Sequence, residues 1–373
     1  MKLPAFKIER YFARYEFKTE FLLCPSDCES FSLSELLQMA DTESLSLWKN
    51  LRLGYTESLG HPLLREEIAA LYTGLSKEDV LLAVPEEGIF LAFNGILEPG
   101  DHVIAISPAY QSLYSIPEGM GCEVSYWSVK EKNGEWTLDL DELEGMIRPA
   151  TKMIVVNFPH NPTGYLPEKK DFLKIVDIAS RHDLYLFSDE MYRFLEFDEM
   201  SRLPSACTVY EKAVTLGGLS KAFGLPGLRM GWLAAQDREI LNITAQLKDY
   251  TTICGSSPSE ILSLMSLRAK EKILQRNRAL IASNLEEIET LFHKHDDLLH
   301  WVPPKGGSIA FPALKGNIPI EAFCQEAIDQ YGVLIIPGTL FGSKENRFRV
   351  GFGRATFSEA LKQFEVFLNN RKG

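Results

Sequence analysis

No stretch of the chain approaches the roughly 18 consecutive apolar residues that a membrane helix requires. The opening residues, MKLPAFKIERYFARYEF, interrupt every apolar run with charge and so lack a signal-peptide core. Positive charge is also scarce. Lys and Arg number 39 against 51 Asp and Glu, a net charge of −12, and no basic stripe is evident, which argues against a nucleic-acid partner because such a face must displace counterions. The six cysteines (Cys24, Cys28, Cys122, Cys207, Cys254, Cys324) are scattered. Their one close pair has C-x-x-x-C spacing and no second pair or histidine cluster to complete a metal site, so reduced thiols are expected. The HKH at 293–295 reads as a solvated helix end, not as metal ligands. Internal repeats and low-complexity tracts are absent. The expectation is a cytoplasmic protein without membrane or nucleic-acid partners.

What is present is an ordinary globular composition, 45% apolar and 24% charged, over 373 residues, enough for a large core and two lobes. Short apolar runs alternate with helical patterns, the signature of a sheet covered by helices on both faces. HVIAIS (102–107), CEVSYWSV (122–129), KMIVVNF (152–158), LYLFSD (184–189), AVTLGG (213–218) and GWLAA (231–235) read as strands. Between two of them, PEKKDFLKIVDIASRHD spaces Phe172, Ile175, Val176 and Ile178 close to a 3.6 period, which predicts a helix. From about residue 256 to 295 runs one extended helical pattern, with room for one break. Strands are expected near 308–312, 333–336 and 348–352, and a last helix over 358–369. The fold class expected is α/β: a large lobe with a mostly parallel seven-stranded sheet between helices (46–265), and a smaller α+β lobe built from both chain ends (1–45 and 266–373).

Three segments carry chemistry. GGLSKAFGLPGLRMGW (217–232) leaves a strand end through a glycine-rich loop, the place where α/β sheets bind ligands. Lys221 within it is flanked by Leu219, Ala222, Phe223 and Leu225, an apolar setting that favours the neutral, nucleophilic amine. Arg229 can fork onto a phosphate or stay a plain surface cation. NFPHNPTG (157–164) is a turn after a strand, and SDEMYR (188–193) brings Asp189 to the sheet rim. Read singly, the turn is only a loop and the aspartate more often a helix cap than a catalyst.

Together these segments resemble the class I/II aminotransferases of the aspartate-aminotransferase fold. Asn161 in HNPTG, Asp189 and Tyr192 in D-x-x-Y, and Lys221 with Arg229 in S-K-x-x-G-L-x-G-x-R-x-G stand in the family's order. GYTESLGHPLLREEIA, LEPGDHVI, SPAY, PKGGSIAF, IPGTLFG and RFRVGFGR extend the resemblance over nearly the whole chain. The resemblance implies a pyridoxal-5'-phosphate enzyme that moves an amino group between an amino acid and a 2-oxo acid, with Lys221 holding the cofactor as a Schiff base and then moving the Cα proton. It implies that Asp189 meets the pyridine nitrogen, that Tyr192 and Asn161 bond the ring's phenolic oxygen with Asn157 alongside, and that Tyr110 stacks on the ring. Phosphate would fall to Ser220, Arg229 and Tyr55 of a second subunit, which makes the protein a homodimer with shared sites. Arg349 would take the substrate's α-carboxylate by a bidentate fork. Ser26, in a stretch where relatives have a glycine-rich substrate loop, would face the substrate beside Cys24 and Asp27.

Two departures stand out. Where many relatives have a serine three residues before the lysine, this chain has Gly218, so a phosphate hydroxyl is lost unless Thr215 or Ser220 compensates. The helix start that normally offers free amides to the phosphate reads VPEEGIFLAF (84–93): Pro85 has no N–H, and Glu86 and Glu87 are assigned to phosphate binding through their amides, with the side chains turned outward. No second arginine for a dicarboxylate side chain is evident. The loss of serine at 218 leaves room for a β/γ-lyase, cyclase or synthase such as a C–S lyase. A non-catalytic sensor on the same fold is disfavoured by retention of Lys221.

Overall fold

The structure, a computed structural model, describes residues 1–371. Its centre is a seven-stranded sheet. In chain order its strands are β1 (Val80–Ala83), β2 (His102–Ser107), β3 (Glu123–Ser128), β4 (Thr151–Asn157), β5 (Tyr185–Asp189), β6 (Ala213–Gly218) and β7 (Gly231–Ala234), and in space they lie β1-β7-β6-β5-β4-β2-β3. Only β7 is reversed; it pairs antiparallel with both β1 and β6 while the other pairs are parallel. Strands β1, β6 and β7 are buried throughout, as befits a sheet covered on both faces, where apolar runs replace alternation. Six of these strands stand where the sequence places them. VLLA at β1 was not picked out, because four apolar residues show no periodicity that separates a strand from a buried helix turn.

Parallel strands bring their carboxyl ends to one edge of the sheet, so Ser107, Asn157, Asp189 and Gly218 share that edge. Helix α2 (Pro85–Ile96) leaves β1 at the same edge, with Pro85 in its first turn, where a missing N–H costs least. Ahead of the sheet, α1 (Lys7–Tyr15) carries little core of its own: Ile8 is its only buried residue. Long-range contacts fix it, among them two near its first turns. The Lys7 amide donates to Gln111 Oε1 at 2.8 Å, and the Tyr11 hydroxyl donates to the Ile335 carbonyl at 3.1 Å.

The helix of 169–181 forms as α3 (Lys169–Arg181), and it buries Phe172, Ile175, Val176 and Ile178 as its period demands. The long helical pattern is two helices, α4 (Ser257–Arg268) and α5 (Lys270–Lys294), parted at Ala269. At 25 residues, α5 is about 38 Å long. His295 at its end is wholly buried, contrary to the solvated helix end expected there. A three-stranded antiparallel sheet follows, β8 (Ile309–Ala310), β9 (Ile336–Pro337) and β10 (Phe348–Gly351), with β10 central, and α6 (Phe357–Asn369) packs behind it. Both chain ends meet there: Phe21 and Leu22 pair in parallel with Val333 and Leu334. The architecture is thus the expected one, a helix-flanked sheet with a smaller α+β unit made from both ends. No helix among the described residues is long and apolar enough to cross a membrane.

Candidate active site

A cavity of about 400 Å³ opens at the carboxyl edge of the sheet. This is ample for a small cofactor and the reacting end of a substrate. Its floor comes from β5. Asp189 ends that strand and sits in register with Asn157 on β4, so both side chains reach the same edge. Asn157 then acts as a clip: its Nδ2 donates to the Asp189 carbonyl at 3.0 Å, and its Oδ1 accepts the Asn161 amide at 2.7 Å. Asp189 Oδ1 accepts the Met191 amide at 3.1 Å within a turn; no helix starts here, so Asp189 is not the helix cap that an isolated aspartate suggested. Burial nevertheless pushes the Asp189 carboxyl up to about 6, against the lowering effects of that amide and of Lys221.

Lys221 follows β6 in a loop whose Leu219, Ala222, Phe223 and Leu225 are all buried. The lysine as a whole is half-buried, yet its ammonium is crowded enough that burial lowers its pKa, helped by the positive charge of Arg349 and opposed by Asp27, Glu9 and Asp189. The apolar neighbours predicted from sequence are thus buried around the backbone of Lys221, while its amine sits among polar and charged groups. Lys221 Nζ donates to Ser26 Oγ at 2.8 Å, which brings Ser26 into the site.

Arg349, on β10, is 2% exposed and reaches the cavity from the smaller unit. Its Nη1 donates to Asn161 Oδ1 at 3.1 Å and its Nη2 to the Cys24 carbonyl at 3.0 Å, while its Nε has no partner. Tyr192, Tyr110 and Ser220 also line the cavity. The Ser220 hydroxyl is buried without a hydrogen bond. Arg229 stands at the rim with φ +50°, a left-handed conformation that costs a non-glycine residue about 1 kcal/mol, and its Nη1 donates to the Pro226 carbonyl. Of the three neighbouring arginines, Arg347 is bound up with Glu131 and Glu345, and Arg354 is forked onto Asp27 with its shortest contact 2.8 Å, whereas Arg349 has no carboxylate partner among the described residues and a buried, unpartnered Nε.

The two departures can now be placed. Thr215 does not face the cavity: its hydroxyl lies among Glu190, Ser205 and the Cys207 amide, beneath the sheet edge. That leaves Ser220 as the available hydroxyl. A side chain at Gly218 would meet the Met191 thioether at 2.9 Å and the Pro85 ring at 3.2 Å. Glu87 turns away, as expected, holding the Val84 amide and the hydroxyls of Thr251 and Thr252. Glu86 does not: its side chain lines the cavity, accepts from Ser112 Oγ at 3.0 Å, and is pushed up to about 7 by burial. Tyr55 lies outside the cavity of this chain and is 91% exposed. The sequence reading did not anticipate α1, which contributes Ile8, Glu9 and Phe12, with Glu16 just past its end, to the cavity wall. The only sequence signal was their i, i+4 and i, i+7 spacing.

Comparison with known proteins agrees with this geometry. The family model described as "Aminotransferase class I and II" matches residues 27–363. Capreomycidine synthase of Streptomyces vinaceus is 29% identical over 294 residues, which is 74% of this chain and 72% of that one. Aspartate aminotransferase of Pyrococcus abyssi is 27% identical and 84% of each chain is covered. Among solved structures, a PLP-dependent aminotransferase from Streptococcus suis superposes with TM-score 0.92 at 33% identity, covering 99% of each chain. The PLP-dependent cyclase OrfR superposes with TM-score 0.91 at 28% identity, covering 100% of this chain and 98% of that one.

Proposed function

The chain belongs to the pyridoxal-phosphate-dependent aminotransferases of class I and II, and from that premise we propose that it moves an amino group between an amino acid and a 2-oxo acid with Lys221 as the residue that takes the cofactor and moves the proton. The observation that carries this is a lysine amine and an aspartate carboxyl, both with burial-shifted pKa values, lining one cavity. The remaining groups there fit the cofactor: the unpartnered Ser220 hydroxyl and Arg229 suit a phosphate, and the buried Asp189 suits a ring nitrogen that carries a proton.

Bound pyridoxal phosphate supplies an aldehyde for an incoming amine and a ring that withdraws electrons from the substrate's Cα. The rest falls to the chain. Asp189 would keep the ring nitrogen protonated, since a cation beside it repays the cost of burying its charge. Asn161, whose Oδ1 is held by Arg349, has its Nδ2 to donate to the phenolic oxygen, and the Tyr192 hydroxyl would do the same. Tyr110 would cover one ring face. The phosphate would be held by Ser220, Arg229, the amides of Glu86 and Glu87 at the start of α2, and Tyr55 of a second subunit. Arg349 would grip the α-carboxylate, with Ser26 beside it. Lys221, displaced by the substrate amine, would stand as a neutral base at Cα, and its lowered pKa suits that task.

Residues 46–265 would carry the cofactor, and 1–45 with 266–373 would close the substrate side. A homodimer is supported by exposed Leu53, Tyr55, Tyr250 and Ile253, whose two segments are tied together by Lys248 Nζ donating to the Ser58 and Ile253 carbonyls. A cytoplasmic location is supported by six free cysteines.

Capreomycidine synthase and the OrfR cyclase, as relatives, favour a second reading, elimination or cyclisation at Cβ or Cγ. Mixing the loaded enzyme with single amino acids and following the cofactor spectrum separates the two. Accumulation of the cofactor's amine form, with 2-oxo acid released, supports transamination. Ammonia release or a cyclised product, without that form, refutes it.

A further inference from the structure

The charges that line the cavity are not balanced on the substrate side. Four cations reach it: Lys221, Arg229, Arg349 and Arg354. The proposed function engages the first three, and Arg354 is already neutralised by Asp27, to which both its Nε and Nη2 donate. No cation is left for a carboxylate at the far end of a substrate. Acids, by contrast, remain. Glu9 and Glu16 stand seven residues apart on or at the end of α1, two turns along one face, and both line the cavity. Among the described residues, Glu9 accepts only from the Tyr110 hydroxyl, at 2.9 Å. The Glu16 carboxylate, half-buried, has no hydrogen bond or ion pair among the described residues, although Arg354 and Lys221 act on it from across the cavity.

An acid cluster alone would say little. Here it faces a buried arginine whose Nε is unpartnered, across a cavity built for a ligand. The helix that carries them is anchored to distant parts of the chain through Gln111 and Ile335, so its backbone holds a fixed position against the cavity. A half-buried carboxylate without a partner is costly, and a ligand cation would relieve that cost.

We propose that Glu16, with Glu9 beside it, forms the side-chain subsite, and that the substrate is an α-amino acid whose side chain ends in a cation, an ammonium or a guanidinium, gripped at its other end by Arg349. This rests on the amino-acid-handling reading above. Recognition is then by opposite charges at two ends of one molecule, and an acidic side chain is repelled by the same wall.

The test is a spectral titration of the dimeric, cofactor-loaded enzyme with matched amino acids: L-arginine against L-citrulline, L-lysine against L-norleucine, and L-glutamate. The charged member of at least one pair should bind roughly ten-fold or more tightly than its neutral counterpart, and glutamate least well. Glu16→Gln should erase that difference while leaving the neutral member's binding unchanged, which also reports that the site is intact; Glu9→Gln should reduce it. Equal binding within both pairs, or equal weakening of both members in Glu16→Gln, overturns the proposal. A spectral response to norleucine or glutamate with none to arginine and lysine overturns it while leaving the family function standing. No response to any common amino acid overturns both.

Discussion

Replacing Asp189 by asparagine should make the cofactor-free protein more stable, in a pH window set by one carboxyl group. Asp189 is 6% exposed, and burial raises its pKa from 3.8 to about 6. A raised folded pKa gives stability that is fully present below the unfolded value and lost as pH rises through the folded one. At about 1.36 kcal/mol per pH unit, the wild-type apoprotein therefore gives up about 3 kcal/mol between about pH 4 and pH 6, and the loss is constant above. Asparagine carries no charge and still offers an Oδ1 to the Met191 amide. Its apoprotein should match wild type near pH 4 and melt several degrees higher at pH 8. Circular dichroism melts of both apoproteins across that range give the answer. Saturating pyridoxal phosphate should then reverse the ranking at pH 8, because only the carboxylate has a ring proton to answer. Melting curves that stay parallel at every pH, or a cofactor that stabilises both proteins equally, would refute the claim that this buried charge is maintained for the cofactor.

Lys221→Ala should retain the fold but lose the visible absorbance band of the bound cofactor and all turnover; a variant keeping both refutes the assignment. Gly218→Ser should lower stability by about 1–3 kcal/mol, because the new side chain meets Met191 and Pro85, and pairing it with Pro85→Ala should recover part of that loss in the same urea titration. Mixing subunits of Lys221→Ala with those of Tyr55→Ala should restore about a quarter of wild-type activity, since a hybrid dimer has one site with both residues; activity no greater than that of the two variants kept apart means Tyr55 does not serve a neighbouring site.

The large sheet was legible because its strands are short apolar runs bounded by turn residues, and a parallel sheet buried on both faces needs no alternation. β1 escaped because VLLA leads within two residues into a helix that begins with proline, so no turn signal marks its end. His295 escaped for a different reason: its neighbours in sequence are charged, and only tertiary packing reveals that the ring is wholly buried. The strand-end rule was enough to bring Asn157 and Asp189 to one edge, and their register pairing follows from it. What the rule could not supply was the wall that α1 forms over the cavity. Helix α1 meets Gln111 and Ile335, partners more than 100 positions away, and such contacts leave no local trace beyond a weak amphipathic spacing. The role of Glu9 and Glu16 was invisible for that reason.

The two departures noted at the phosphate end are one structural change. Gly218 and Gly231 face each other in register across β6 and β7, and a Cβ on either would press on the Pro85 ring, at 3.2 Å and 2.8 Å respectively. The pair of glycines is thus a flat seat for proline at the first turn of α2. Proline there removes an amide that α2 could otherwise offer an anion, and its seat removes the hydroxyl that a serine at 218 would offer. With both lost together, and Thr215 spent on Glu190 and Cys207, the unpartnered Ser220 hydroxyl and the left-handed Arg229 would, on the proposed reading, have to carry more of a phosphate's charge than they would elsewhere. Glu86, pushed up to about 7 by burial, follows the same logic: a carboxyl lining a phosphate site would be better tolerated with only about half its charge near neutral pH, and its contact with Ser112 holds it in place.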